Sequence, residues 1–371
     1  MKEARRREEA SEERYYIASQ WQLMWRKFKK HELAMSGGIV LVIFYFMALF
    51  AEFFAPYGIL ERTPYRYCPP QKIHFFDEKG RFHLSPFVYG IKRKRDPATW
   101  SLKYIEDRSK IHPVYFFVHG RKYKFWGLFE TDIHFWGTKN SKVPFLFGTD
   151  RLGRDLFSRT IYASRISLSI GLVGVAISFI LGCILGGISG YFGGTADMII
   201  QRIIEFFMSL PSIPLWMALA AAVPANWPII KTYFAITIIL SFMGWTGLAR
   251  VVRGKLISLR EEDFVTAAKI AGATDGRIIL RHLLPSFLSY LIVNLTLAIP
   301  RMILGETSLS FLGLGIRPPA VSWGALLKDA QRVNVVAIHP WLLIPGLFVI
   351  IAVLAFNFLG DGLRDAADPY K

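Results

Sequence analysis

Uninterrupted apolar runs separated by charged blocks dominate the chain. A hydrocarbon core about 30 Å thick needs about 20 apolar residues of helix, and six stretches approach that length: 33–51, within 166–196, 206–223, 232–249, 283–300 and within 333–360. Pro211 and Pro214 interrupt the third, the fourth and fifth are short, and Glu52 stands near the far end of the first. One interval breaks the pattern. Residues 57–147 are polar and too long for a mere connection. Aromatic and β-branched residues alternate there at 72–76, 114–118 and 122–129, around the turn-like pairs Lys79-Gly80 and His119-Gly120. The pattern predicts an all-α polytopic membrane protein with a small β-rich insert between its first two spans. Its expected parts are an arm (1–32), a first membrane helix (33–56), the insert (57–147) and a core with five further spans (148–371).

Composition narrows the class. The 371 residues are 53% hydrophobic, 15% aromatic and 20% charged, with mean hydropathy +0.32; soluble domains lie nearer a quarter charged. Extended disorder is excluded on the same ground. Two cysteines exclude a disulfide scaffold and a four-cysteine zinc site. The net charge of +17 would suit nucleic acid, but it sits in the segments flanking the apolar runs, so no nucleic-acid partner is expected. His74, His83, His112, His119 and His134 match no metal-ligand spacing and read as surface and sheet histidines.

Lysine and arginine placement gives an orientation. The arm carries nine such residues, and the stretch 250–281 carries seven: Arg250, Arg253, Lys255, Arg260, Lys269, Arg277 and Arg281. Both termini and this stretch are therefore expected in the cytoplasm, with the insert outside. The leading charged segment is too long for a cleaved signal peptide. Residues 5–14 read as a solvated tail. Residues 15–31, where Tyr15, Tyr16, Trp21, Trp25 and Phe28 alternate with Arg26, Lys27, Lys29 and Lys30, read as an interfacial helix. The run Lys92-Arg93-Lys94-Arg95 is either a solvated loop or a site for an acidic partner or anionic headgroups.

No G-x-x-x-x-G-K-[ST], G-x-S-x-G or H-E-x-x-H occurs, so the chain offers no phosphate loop or catalytic motif of its own. Uphill movement of a solute would draw on an ion gradient or another subunit. The stretch Glu261-Glu262-Asp263-Phe264-Val265-Thr266-Ala267-Ala268-Lys269-Ile270-Ala271-Gly272 predicts a short helix with acidic residues at its positive end and a glycine stop. Ala267 and Ala271 share a smooth face. Such a helix is either a shape for docking into another protein's groove or an ordinary interfacial loop helix.

The same stretch resembles the coupling motif of ATP-binding cassette importer permeases, carried here by Ala267, Ala268, Gly272, Leu284 and Pro285. Thr266 stands where that motif has glutamate and His282 where it has isoleucine. Further likeness to the dipeptide/oligopeptide/nickel branch, and to its second, C-type permease, lies in Gly148-Thr149-Asp150-Arg151-Leu152-Gly153-Arg154-Asp155, in Ser310-Phe311-Leu312-Gly313-Leu314-Gly315 with Pro318, Pro319 and Ser322-Trp323-Gly324, and in Gly360-Asp361-Gly362-Leu363-Arg364-Asp365 with Asp368-Pro369. It covers about 20–56 and 145–371 and leaves the insert out. The resemblance implies a type I importer fold in a prokaryotic cytoplasmic membrane and a homologous second permease. It also implies two ATPase subunits holding ATP and magnesium, an extracytoplasmic solute-binding protein, and no cofactor or catalytic residue in this chain. Glu262, Asp263, Thr266, Ala267, Ala268, Gly272, Leu284 and Pro285 would couple to the ATPases across 256–285. The Gly- and Pro-rich stretch within 305–330 would form an outer loop dipping into the pathway, with Glu306, Phe311, Leu312, Gly313, Leu314 and Trp323 as candidate residues.

Gly182, Gly186 and Gly190 recur every four residues and predict close helix packing in the second span. Cys183 beside them reads as a small apolar residue. Arg202 and Glu205 predict a local pair. Arg301 and Glu306 are placed at the outer end of the fifth span, with Glu306 the best candidate for more than a structural role. A self-contained ion-coupled transporter is the competing function. It would need a buried acidic site, for which Glu52, Glu205 and Glu306 are the candidates. A membrane-anchored receptor is a third reading, disfavoured by six spans.

Overall fold

The computed structural model describes residues 20–95, 97, 102–139, 144–224 and 226–367. The tail at 5–14, Tyr15, Tyr16 and Asp368-Pro369 lie outside the described residues. The interfacial helix is α1 (Gln20–Lys30), which sets Phe28 beside Ala34 and Ala366. His31 caps the next helix, α2 (Glu32–Leu49), its Nδ1 accepting from the Ala34 N–H at 3.2 Å. A single turn, α3 (Ala51–Phe54), closes that span.

The insert is β-rich as the alternation predicts. Strands β1 (His74–Phe76), β2 (Phe82–Arg95) and β3 (Leu102–Pro113) form an antiparallel sheet in that order, while β4 (Tyr115–Phe125) and β5 (Phe129–Gly137) form a separate hairpin. Two local expectations are corrected. Lys92–Arg95 is not a loop but the exposed end of β2, with Lys92 paired to Asp107 at 2.9 Å. His119-Gly120 lies within β4 instead of turning. A Cβ on Gly120 would stand 2.7 Å from the His134 ring, so glycine there admits an inward ring. The reversal is at Trp126-Gly127, both at positive φ (49° and 75°), as a tight hairpin turn requires. The Trp126 Nε1–H donates to the Leu49 carbonyl at 2.9 Å, fixing the hairpin tip at the end of α2.

The core comprises α4 (Leu156–Phe192), α5 (Gly194–Ser209), α6 (Ser212–Ala221), α7 (Ile229–Leu259), α8 (Asp263–Ile270), α9 (Leu288–Phe311), α10 (Trp323–Leu327), α11 (Val333–Ile338) and α12 (Ile344–Ala367). Among the described residues, five helices are long and apolar enough to cross a membrane, or six if a bent pair counts as one span. The bent pair corrects the third predicted span: α5 and α6 meet at 88°. Pro211 has no N–H to continue a helix, and the residue before a proline is driven extended; Leu210 has ψ 133°. The other core spans also shift. α4 starts ten residues before 166, α7 runs on through Arg250 and Arg253 to Leu259, and α9 occupies 288–311 instead of 283–300. Charge limits how far a helix stays in lipid, not where the helix ends.

α4 and α7 run in the same direction, Gly182 against Leu248, Gly186 against Ala249 and Gly190 against Arg253. α9 runs antiparallel to α4, and α12 antiparallel to α2, with Phe44 on Phe348 and Gly37 on Ala355. The insert and the 312–322 loop therefore share one end of the bundle. α1, α8 and the last turn of α12 share the other.

Candidate functional site

At the α1/α8 end, α7 is followed by a turn and then by α8. Glu261, Glu262 and Asp263 stand exposed at the N-terminus of α8, where the helix dipole favours them. One face is anchored: Val265 is fully buried with Val252, Leu256, Ile278 and Leu283, and Ala268 packs half-buried beside it. The other face is open. Thr266, Ala267 and Ala271 are exposed, and Phe264 and Ile270 project 42% and 84% exposed. Gly272 ends the helix at φ +77°, with the Ala273 N–H returning to the Ala268 carbonyl at 3.0 Å. The chain then passes through π-helical Ile278–Leu283, where the Leu284 N–H reaches the Ile279 carbonyl. Pro285 follows exposed, its missing N–H leaving the Arg281 carbonyl without the usual helical donor. Leu284 is half-buried against the core that holds Val265.

Two ties stiffen this segment that sequence inspection missed, since their partners are 56 and 84 positions apart. Arg253 grips Asp197 with two bonds of 2.5 and 2.6 Å. The Tyr191 hydroxyl donates to Asp275 at 2.7 Å, with the Lys269 ammonium over the same ring. A short helix with an unpartnered face is thus held on a rigid frame.

At the insert end, the predicted loop is shorter than 305–330: α9 continues to Phe311, the irregular chain occupies 312–322, and α10 follows. Glu306 is fully buried, correcting its placement at a span end. Its carboxylate accepts from the hydroxyls of Ser310 (2.6 Å) and Ser167 (3.1 Å). Those hydroxyls in turn accept the Ile316 N–H (2.9 Å) and the Trp323 N–H (3.1 Å). One carboxylate therefore fastens the loop at its middle and at its far end. Trp323 is fully buried and donates from Nε1 to the Thr160 carbonyl at 3.1 Å. Close approach needs glycine at 324, where a Cβ would lie 2.4 Å from the Thr307 carbonyl. Of the other loop residues, Phe311 and Leu314 are partly exposed, Leu312 is 45% exposed, and Gly313 turns at φ +83°. Glu306 and Trp323 are thus packed into the protein, and Phe311–Leu314 form the loop's outer surface.

The Gly148–Asp155 motif is a staple. Asp150 accepts from the N–H groups of Leu152 and Arg154 and binds the guanidinium groups of Arg154 and Arg159. Thr149 Oγ1 links Cys68 to Tyr65, tying the start of the insert to α4. Asp155 caps α4 through the Ser158 N–H at 2.7 Å, and burial pushes its carboxyl up to about 7 against the pull of that bond. The candidate acids for ion coupling are engaged: Glu52 with Arg165, Glu205 with Arg202 at 2.7 Å, and Glu306 as above.

A family model described as binding-protein-dependent transport system inner membrane component matches residues 165–370, from α4 to the end of α12. The chain belongs to this family. A second model, the N-terminal TM domain of oligopeptide transport permease C, matches residues 19–70 of this inner-membrane component. Most of the insert falls between the two. The oligopeptide transport system permease protein OppC of Haemophilus influenzae is 44% identical over 224 residues, 60% of this chain and 70% of that one. The dipeptide transport system permease protein DppC of Bacillus subtilis is 32% identical over 347 residues, 93% and 84% of the two chains. Among solved structures, an inward-facing MetNI methionine ABC transporter gives a TM-score of 0.46 at 19% identity, over 57% of this chain and 97% of that one.

Proposed function

We propose that this permease is the C-type membrane subunit of a peptide importer, paired with a homologous second permease in a prokaryotic inner membrane. Two ATPase subunits, which hold the ATP and magnesium, dock on α8. A solute-binding protein delivers its cargo at the insert end. The observation that carries the reading is the open face of α8, where small Ala267 and Ala271 sit beside unpartnered Phe264 and Ile270 on a stiffened frame. An exposed apolar face on a short helix fits a groove in another protein. The crowding of arginine and lysine at this end, seven within 250–281, supports a cytoplasmic placement for it and for both termini. The likeness to peptide permeases supports peptides as cargo.

The test is Ala267→Trp in the assembled importer, a change that adds bulk to an exposed site. ATPase activity stimulated by the loaded binding protein should fall at least about tenfold while this chain still inserts. Unaltered stimulation, with the ATPases still co-purifying, would remove α8 as the docking element.

A further inference from the structure

Arg301 is placed by the structure where the sequence did not put it. It is the fourteenth residue of the 24-residue α9, so it lies at mid-span instead of at the outer end. Its side chain is exposed and lines a recess of about 290 Å³. The walls come from this chain's own helices: Ser178 of α4, Gly244 and Gly247 of α7 and Asn294 of α9 set among apolar side chains such as Phe179 and Leu248. Asn294, Arg301 and Ser308 are spaced by seven residues and so form one stripe, each of them reaching the surface. On the facing helix a Cβ at Gly247 would meet nothing within 4 Å. The charge decides what such a recess faces, because an arginine at the bilayer centre is tolerated against water or protein, not against acyl chains. Nor does any carboxylate among the described residues form an ion pair with it. Of the carboxylates in the spanning segments and at their ends, Glu52, Asp197, Glu205, Glu306 and Asp365 are each engaged elsewhere. A small concave recess walled by three helices of one chain suits a solute group better than a packed helix of a neighbour.

We infer that Arg301 is a substrate contact at the middle of the permeation pathway, its guanidinium fork taking the carboxylate of a passing peptide. The inference rests on the peptide-importer reading. Arginine stays charged in any protein environment and meets a carboxylate with two parallel donors. Asn294 and Ser308, each about 10 Å away along the helix, donate to the Tyr290 and Leu304 carbonyls and keep their side-chain oxygens as neutral acceptors for the rest of the cargo. A single fixed cation between neutral rungs binds well enough to admit a peptide and weakly enough to release it.

The test uses the complete importer in proteoliposomes, with binding protein saturated either by a tripeptide or by its C-terminal amide. Arg301→Gln should lower maximal uptake of the free acid about ten- to hundredfold, the span of a charged hydrogen bond, and leave the amide at the wild-type rate. Arg301→Lys should fall between. An acid-to-amide ratio unchanged from wild type would overturn the assignment. Equal loss for both peptides, accompanied by loss of the second permease on purification, would overturn it in favour of a contact between subunits. A wild-type importer that moves neither peptide would refute the peptide reading itself, a failure visible before any variant is made.

Discussion

Replacing Gly186 with alanine tests the seam on which the core is built. An ideal Cβ there would lie 2.5 Å from the Ala249 carbonyl oxygen, 2.9 Å from the Ala249 Cα and 2.9 Å from the Val252 Cβ. Favourable contact begins at about 3.5 Å, so α4 and α7 must part by about 1 Å. The nearest obstacles are backbone atoms, so no rotamer change relieves the clash. Gly182 and Gly190, one turn to either side and also packed on α7 (nearest approaches 2.9 and 2.7 Å), would lose contact in the same movement. Overpacking of this kind costs about 1–3 kcal/mol, offset by the roughly 0.5–1 kcal/mol that alanine gains over glycine in a helix. The net is roughly 0–2.5 kcal/mol, and contact with rigid backbone on α7 puts this site towards the destabilising end. The neighbouring Gly187→Ala is the control: its Cβ would meet only Ile279 Cγ2, at an ordinary 3.6 Å. It should be neutral or slightly stabilising. Thermal unfolding in detergent, followed by a thiol-reactive fluorophore, reads both, because Cys68 and Cys183 are buried in the folded chain and Cys183 belongs to the same helix. Gly186→Ala should lower the midpoint by several degrees while Gly187→Ala does not. Equal midpoints, or an equal fall in both, would refute the claim that backbone proximity dictates glycine here.

Two further outcomes follow. Glu306→Ala removes the shared acceptor of Ser167 and Ser310 and should cost about 1–3 kcal/mol for the hydroxyls left without it. Amide exchange at Ile316 and Trp323 should rise well above exchange in α12, and unchanged exchange there would separate the carboxylate from the loop. In the insert, hydrogen bonds from Ser109 and Lys92 hold the Asp107 carboxyl down to about 2, and the Arg81 backbone N–H, with weaker help from the side chains of His83 and Arg81, does the same for Asp77. Their folded values lie below the unfolded value of about 3.9, so this stability is fully present above about pH 4 and is lost as pH falls towards 2. Exchange across β2 and β3 should accelerate over that window, less so in Asp107→Asn; the same acid response in the variant would rule Asp107 out as its source.

Much was legible in the sequence because its causes are local. The membrane class, the β-rich insert, the glycine seam, and the short α8 with its acidic start and glycine stop each follow from hydrophobic period, charge position or backbone freedom within a few residues. The bend at Pro211 was signalled by the proline, but not its angle. Glu306 and Arg301 mark the limit. Hydropathy alone places both at the end of a span, because it counts charged residues as boundaries. Helix α9 ignores them and runs on to Phe311, since a helix needs only its own hydrogen bonds.

What the sequence by itself determined is therefore which segments are long and apolar enough to cross a membrane, which are not, and which short helix keeps an open face. Tertiary structure alone decided which side chains are inside. Glu306 could be buried because Ser167, 139 positions away, brings it a donor, and Arg301 was left open because no carboxylate among the described residues pairs with it. Burying a charge depends on partners that only the assembled bundle delivers, and no local pattern encodes them.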